Sequence, residues 1–206
     1  MLNNLPSTIP IFPLNGVIYF PKTNLPLNIF EQRYLDLVSD AYGKDKFMGM
    51  VQSKKESNSV YDIGCLGKIT DYQKSKDGRV LINLTGVSRF RILKEIINGK
   101  LYREFQVDYK NFDLDTKEDK NDVDLEELMK KAKIFFKKSG LLLNWVEFEK
   151  LDHEQKINTL AMIAPITNEE KQKLLETISL KNKVNTLDSI ISFYLHETSF
   201  NNQTLQ

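Results

Sequence analysis

Few residues in this chain can do chemistry, and their spacing decides what that chemistry is. His153 and Glu154 look like the start of an H-E-x-x-H motif, whose two histidines sit one helical turn apart to share a zinc ion. Position 157 is occupied by Ile157 and the other histidine is His196, so no metal site is expected. Cys65, the single cysteine, would need a base brought to it by the fold to act as a nucleophile. A buried, inert thiol is the plainer expectation. Gly64 and Gly67 precede Lys68 and Ile69, but no G-x-x-x-x-G-K-[ST] loop occurs anywhere, so a nucleotide phosphate has no cradle. The carboxylate pairs Glu126-Glu127 and Glu169-Glu170 fall in the opening turns of predicted helices, where the helix dipole accounts for them. No catalytic residue, metal or cofactor is therefore expected. What remain are adaptable apolar groups. Tyr19 and Phe20 beside Pro21, together with the soft side chains of Met48 and Met50, are the candidates for touching a peptide. The same four also suit a core, because short apolar strands bury at least one face.

The elements that must position these groups begin with Ile9 to Tyr34, IPIFPLNGVIYFPKTNLPLNIFEQRY. Its apolar runs are too short for helices. Pro10, Pro13, Pro21 and Pro26 remove amide donors and fix φ, which predicts edge strands, strand ends and tight turns. From Glu31 the spacing of Tyr34, Leu35 and Val38 turns helical. FMGMVQ, from Phe47, reads as a buried strand, and SKKESNSVYD as a polar loop. Strands follow at CLGKITDYQKS, RVLINLTG, SRFRILKEII and LYREFQVDY. Turns are predicted at Lys76-Asp77-Gly78 and Asn98-Gly99. In the last strand Leu101, Arg103, Phe105, Val107 and Tyr109 should share the buried face. The acidic stretch from Asn111 to Asp124 reads as a solvated linker. Beyond it, four helices are expected, with capping boxes at Asp124/Glu127, Asp152/Gln155 and Thr167/Glu170 and a frayed polar tail after Ser199.

These strings carry a family resemblance. Pro10, Phe12, Pro13, Leu14, Gly16, Phe20, Pro21, Pro26, Leu27, Ile29, Phe30, Glu31, Arg33 and Tyr34 match, in order, the opening of the Lon protease N-terminal domain. Gly64, Gly67, Ile69, Asp77, Gly78, Arg79, Leu84, Gly86, Arg89 and Phe90 are similar to a second block of that family. Lys171, Gln172, Leu174, Leu175 and Glu176 resemble a third. The resemblance is weakest from about Asn111 to Asp152. It implies an α+β protein: an N-terminal antiparallel β pseudo-barrel of six to seven strands, PUA-like, with one inserted helix, over residues 1–112. An acidic linker at 113–123 and a four-helix bundle at 124–206 should complete it.

The function implied is a non-catalytic recognition module that binds unfolded protein or peptide segments, as an adaptor in protein quality control. The alternative is RNA binding through the PUA-like barrel, which rests on fold analogy alone. A net charge of +1 over 206 residues supplies no strong field for polyanions. Only Arg89, Arg91 and Lys94 gather as a basic group. No apolar run approaches the ~20 residues that span a bilayer, and the proline-broken start MLNNLPSTIP does not resemble a secretory signal. The partners expected are thus unfolded polypeptide or another protein, not membrane or nucleic acid. A weak homo-oligomer stays open, and the location expected is cytoplasmic. A full Lon protease continues into an ATPase and a Ser–Lys peptidase, so this chain is expected to stand alone without enzymatic activity. Purified protein should neither turn over ATP nor cleave casein-like substrates; ATP turnover abolished by a point mutation in this chain would contradict that reading.

Overall fold

The prolines explain the first strand. In the computed structural model, which describes residues 5–54, 59–116 and 123–201, β1 (Thr8–Leu14) changes neighbour halfway along. Its first half, Thr8 to Ile11, pairs antiparallel with β6 (Arg103–Asp108), and its second half, Ile11 to Leu14, pairs with β3 (Phe47–Gln52). Each half thus has one registered neighbour, which leaves Pro10 and Pro13 an open side for the missing N–H. The β1–β3 pairing is parallel, which corrects the expectation of a wholly antiparallel sheet. Parallel neighbours need a long crossover. Here it is supplied by β2 (Asn24–Ile29) and the inserted helix α1 (Gln32–Tyr42).

The chain divides into two units, residues 1–119 and 120–206. In the first, six strands form a mixed sheet in the order β2-β5-β4-β3-β1-β6, and β5 also pairs with β6. Five strands therefore close a ring, and β2 lies outside it against β5. The strands expected at 79–86 and 88–97 are one strand, β5 (Val80–Ile96), reached from β4 (Ile63–Lys74) through the predicted turn, where Gly78 takes φ +90. β4 and β5 bend at bulges, with register shifts at Leu66/Gly67, Ile69/Asp71 and Ile92/Lys94. Ile9, Ile11, Val51, Leu66, Phe90, Phe105, Val107 and Tyr109 fill one core cluster inside. Leu101 does not join it. That residue is exposed, whereas Tyr102 is buried and donates its hydroxyl to Asp40.

One edge of β5 poses a problem that side chains and loops resolve. β2 covers Val80 to Thr85 and β6 begins at Arg91, so residues 86–90 lack a strand on that edge. Backbone groups there still need partners. Lys22 donates its N–H to the Gly86 carbonyl at 2.9 Å, and Gly86 donates to Thr23 at 2.9 Å. A Cβ at Gly86 would collide with the Phe20 carbonyl, which is why this position has none. Farther along, Arg89 N donates to Asp115 Oδ2 at 2.8 Å. The Arg89 guanidinium donates to the same carboxylate, through Nε at 2.9 Å and Nη2 at 2.7 Å, and lies 4.7 Å from the Phe112 ring centre. Asp115 belongs to a short 3-10 helix, Asp113–Thr116. The stretch read as a solvated linker thus contains a carboxylate only 2 % exposed.

The second unit holds α2 (Glu126–Lys138), α3 (Trp145–Glu149), α4 (His153–Ile163), α5 (Asn168–Glu176) and α6 (Leu180–Asn201). Five described helices replace the expected four because Asn144 caps an extra turn, accepting from Glu147 N. The boxes at Asp152/Gln155 and Thr167/Glu170 form as read. The one at Asp124/Glu127 does not: α2 starts later, with Leu125 at the cap, and Asp124 accepts from Glu126 N instead. α2, α4 and α5 each pack on α6. The tail after residue 201 lies outside the described residues.

Replacing Asp115 by Ala removes the carboxylate from a buried guanidinium, and such losses cost about 3–5 kcal/mol. Urea unfolding followed by circular dichroism should show a loss of that order. A cost below about 1 kcal/mol would mean the pair does not hold the segment.

Candidate functional site

The four peptide-contact candidates are all interior. Tyr19, Phe20, Met48 and Met50 are between 0 % and 3 % exposed, so in this structure they offer no surface to a partner. Met48 and Met50 lie in β3 and are buried, as are the flanking Gly49 and Val51. Burial also pushes the Tyr19 hydroxyl far above its ordinary pKa. Cys65 is fully buried, with its Sγ 3.6 Å from the Leu66 carbonyl. The basic trio on β5 separates, since Arg89 turns inward while Arg91 and Lys94 are exposed. His153 and His196 lie in the helical unit, and among the described residues no cluster of His, Cys, Asp and Glu is arranged to hold a metal. No described helix is long and apolar enough to cross a membrane.

An open cleft of about 670 Å³ exists elsewhere, in the barrel unit. The end of β1 supplies Phe12, Pro13 and Leu14. The start of α1 adds Tyr34, and Val60 comes from the loop after β3. Phe12 and Tyr34 pack at 4.2 Å between ring centres, so the floor is aromatic and aliphatic. Two ion pairs stand on the rim. Arg33 donates through Nε and Nη2 to Glu31 Oε2 at 3.0 and 2.7 Å, with its guanidinium 4.6 Å from the Tyr34 ring centre. Arg103 forks onto Glu95, Nε to Oε1 and Nη2 to Oε2, both at 2.7 Å. Those hydrogen bonds hold the Glu95 carboxyl below its usual pKa and raise that of Arg103. The Arg33 pKa is likewise raised by its bond to Glu31.

The described lining sets an apolar floor beside paired charges. Ser53 and Ser59 reach the cleft, but neither histidine lines it, and both carboxylates are engaged by arginines. An apolar floor can take up side chains and the paired rim can bond to backbone amides. In the sequence Phe12, Pro13, Leu14, Glu31, Arg33 and Tyr34 stand out only through the family resemblance, and nothing there marks them as a site. Arg103 reads as part of a buried face, although opposite charges diagonal across the Asn98-Gly99 hairpin are a readable signal.

The family model described as the ATP-dependent protease La (LON) substrate-binding domain matches residues 8–192. The Lon protease of Syntrophus aciditrophicus is 27% identical over 207 residues, covering 93% of this chain and 26% of that protein. The Lon protease of Dictyoglomus thermophilum is 26% identical, covering 93% and 24%. The chain thus spans about a quarter of the length of these curated relatives. The crystal structure of a Lon N-terminal domain protein from Xanthomonas campestris superposes with a TM-score of 0.67 at 20% identity, covering 88% of this chain and 97% of that one. The N-terminal domain of a Mycobacterium avium complex Lon protease gives 0.63 at 14% identity, covering 90% and 98%. At such identities the two structures establish the fold alone.

The rim has a defined pH response. Glu95 has a folded-state pKa below its unfolded value because of its hydrogen bonds from Arg103, so its pairing contributes fully above the ordinary glutamate range and fades as pH falls through the lower folded value. With side chains 32 % and 36 % exposed, screening keeps the pair to a fraction of about 1 kcal/mol. Thermal unfolding of wild type and Glu95→Gln should differ slightly at pH 7 and converge on acidification. A gap that widens on acidification would contradict this assignment.

Proposed function

Because the chain belongs to the ATP-dependent protease La (Lon) substrate-binding domain family, we propose that it is a non-catalytic module whose barrel unit holds exposed apolar segments of unfolded polypeptide. One observation carries the choice of surface. The cleft at the end of β1 joins an apolar floor to a rim whose described residues sum to zero formal charge, with Glu31 and Glu95 set against Arg33 and Arg103. A neutral rim has no surplus cation for a phosphate backbone, whose binding needs lysines and arginines in excess. It suits a polypeptide, which brings apolar side chains and uncharged amides. The wider role is that of an adaptor that retains unfolded protein for quality control.

A shallow apolar site with few polar anchors gives affinities of about 10–100 μM. A reduced, permanently unfolded protein titrated against the whole chain should saturate in that range. Because no counterions are released, the affinity should change less than about threefold between 50 and 500 mM salt. Leu14→Asp, which puts a charge on the floor at the end of β1, should weaken binding about tenfold or more, with folding verified by circular dichroism. Absence of saturable polypeptide binding up to millimolar concentration, with salt-sensitive RNA binding in its place, would replace this reading with the RNA one.

A further inference from the structure

The turn that joins α2 to α3 exposes apolar side chains on an ordered backbone. Gly140 takes φ +70 there, and its N–H donates to the Lys137 carbonyl at 3.2 Å while Leu141 donates to Phe136 at 3.0 Å. That pair of bonds is the helix stop a left-handed residue permits, and it fixes the path of the chain beyond it. Asn144 then caps α3, and Trp145 packs edge-on against Phe136 and Phe148, at 5.9 and 5.4 Å between ring centres. The backbone is held on both sides, yet Leu142 between them is wholly exposed, and Ile134, Leu141 and Val146 are exposed as well. Charge around the turn is unbalanced. Residues 133–150 carry four lysines against two glutamates. Glu147 and Glu149 are taken up by Lys150 and Lys133. Lys137 and Lys138, exposed at the end of α2, engage no carboxylate among the described residues. At i+3 and i+4 they share a side of the helix with Ile134.

We propose that this turn is a peripheral contact for an anionic lipid surface, with Leu142 and Val146 entering the interface and Lys137 and Lys138 meeting the headgroups. The apolar group is a protrusion, since no described residue shields Leu142. A protein partner would need a hole of matching shape, whereas a fluid interface closes around any projecting side chain. The surplus charge beside the protrusion is positive, which is what anionic headgroups attract. Trp145 lies three residues from Leu142, with the Lys133 ammonium 5.5 Å from its ring centre, and indole rings favour the headgroup level. Lysine stems can lie along the apolar boundary while their ammonium groups stay in water. Such a contact requires no spanning helix, so the absence of one among the described helices does not oppose it. It is independent of the polypeptide-binding reading, because it uses the helical unit and not the cleft at the end of β1. Two aliphatic side chains bury less than one myristoyl chain, so binding should be weak and reversible, half-saturating at about 0.1–1 mM accessible lipid.

Trp145 is the chain's single tryptophan, so its emission reports on this turn directly. The whole chain is titrated with phosphatidylcholine vesicles and with vesicles holding about 30 mol% phosphatidylglycerol, followed by co-sedimentation and by tryptophan emission. The anionic vesicles should bind at least about tenfold tighter than the neutral ones, shift the emission to the blue, and lose about fivefold or more in affinity between about 50 and 500 mM salt. Leu142→Ser and, separately, the double exchange Lys137→Gln with Lys138→Gln should each weaken vesicle binding about tenfold or more, with circular dichroism and polypeptide binding unchanged. No co-sedimentation with anionic vesicles at about 5 mM lipid would overturn the proposal. Binding that survives both variants with the Trp145 emission unmoved would overturn it too, since the contact would then lie elsewhere. Self-association lost in Leu142→Ser, without vesicle binding, would give the turn to a second copy of the chain and equally end the lipid assignment.

Discussion

A gap along one edge of β5 is the constraint on which the barrel unit depends. The strand has to serve β2 with its first residues and β6 with its last, and between them its backbone faces no strand. A buried, unpaired amide costs as much as a lost hydrogen bond, so the gap has to be closed by something. The Phe20–Thr23 turn closes one end at Gly86, and the Asp115 carboxylate closes the other at Arg89. The second closure puts a guanidinium and a carboxylate at 3 % and 1 % side-chain exposure. Burying both charges is costly by itself, and the geometry offsets the cost by giving the carboxylate a backbone donor as well as the side-chain fork. The segment after β6 is thereby anchored to the middle of the sheet.

The topology that creates this gap also creates the cleft at the end of β1. A parallel β1–β3 pair obliges the chain to leave β1, run through β2 and return through α1. The crossover carries the first turn of α1 back to the end of β1, where Tyr34 meets Phe12. The β5–β6 hairpin brings Glu95 and Arg103 to the same place. The apolar floor is therefore made by residues from the start and end of one crossover, and the rim is completed by the strands that close the ring. The cleft and the barrel closure are built from the same strands.

Much of the fold was legible because its punctuation is local. The prolines of β1 and β2, the Lys76-Asp77-Gly78 turn and the boxes at Asp152 and Thr167 all act within four residues of themselves. What stayed hidden acts at long range. Arg89 reads as a surface cation until Asp115, 26 residues on, is brought against it. Tyr19, Phe20, Met48 and Met50 read as core or as contact residues, and it takes the folded structure to show that all four are buried. The parallel pairing was missed because proline-rich strands signal edges without saying which edge they meet. The cleft was missed for a related reason: Phe12, Tyr34, Glu95 and Arg103 lie on four elements, and no short string contains them.

The central claim is that unfolded polypeptide sits in the cleft where β1 ends and α1 begins. Amide chemical-shift mapping of the isotope-labelled chain, titrated with an unfolded protein, tests it residue by residue. The account predicts that the shifted amides concentrate at Phe12, Leu14 and Asn15, in the first turns of α1 and around Glu95 and Arg103, with the helical unit unmoved. Shifts confined to the helical unit, with the cleft residues unchanged at saturation, would contradict it.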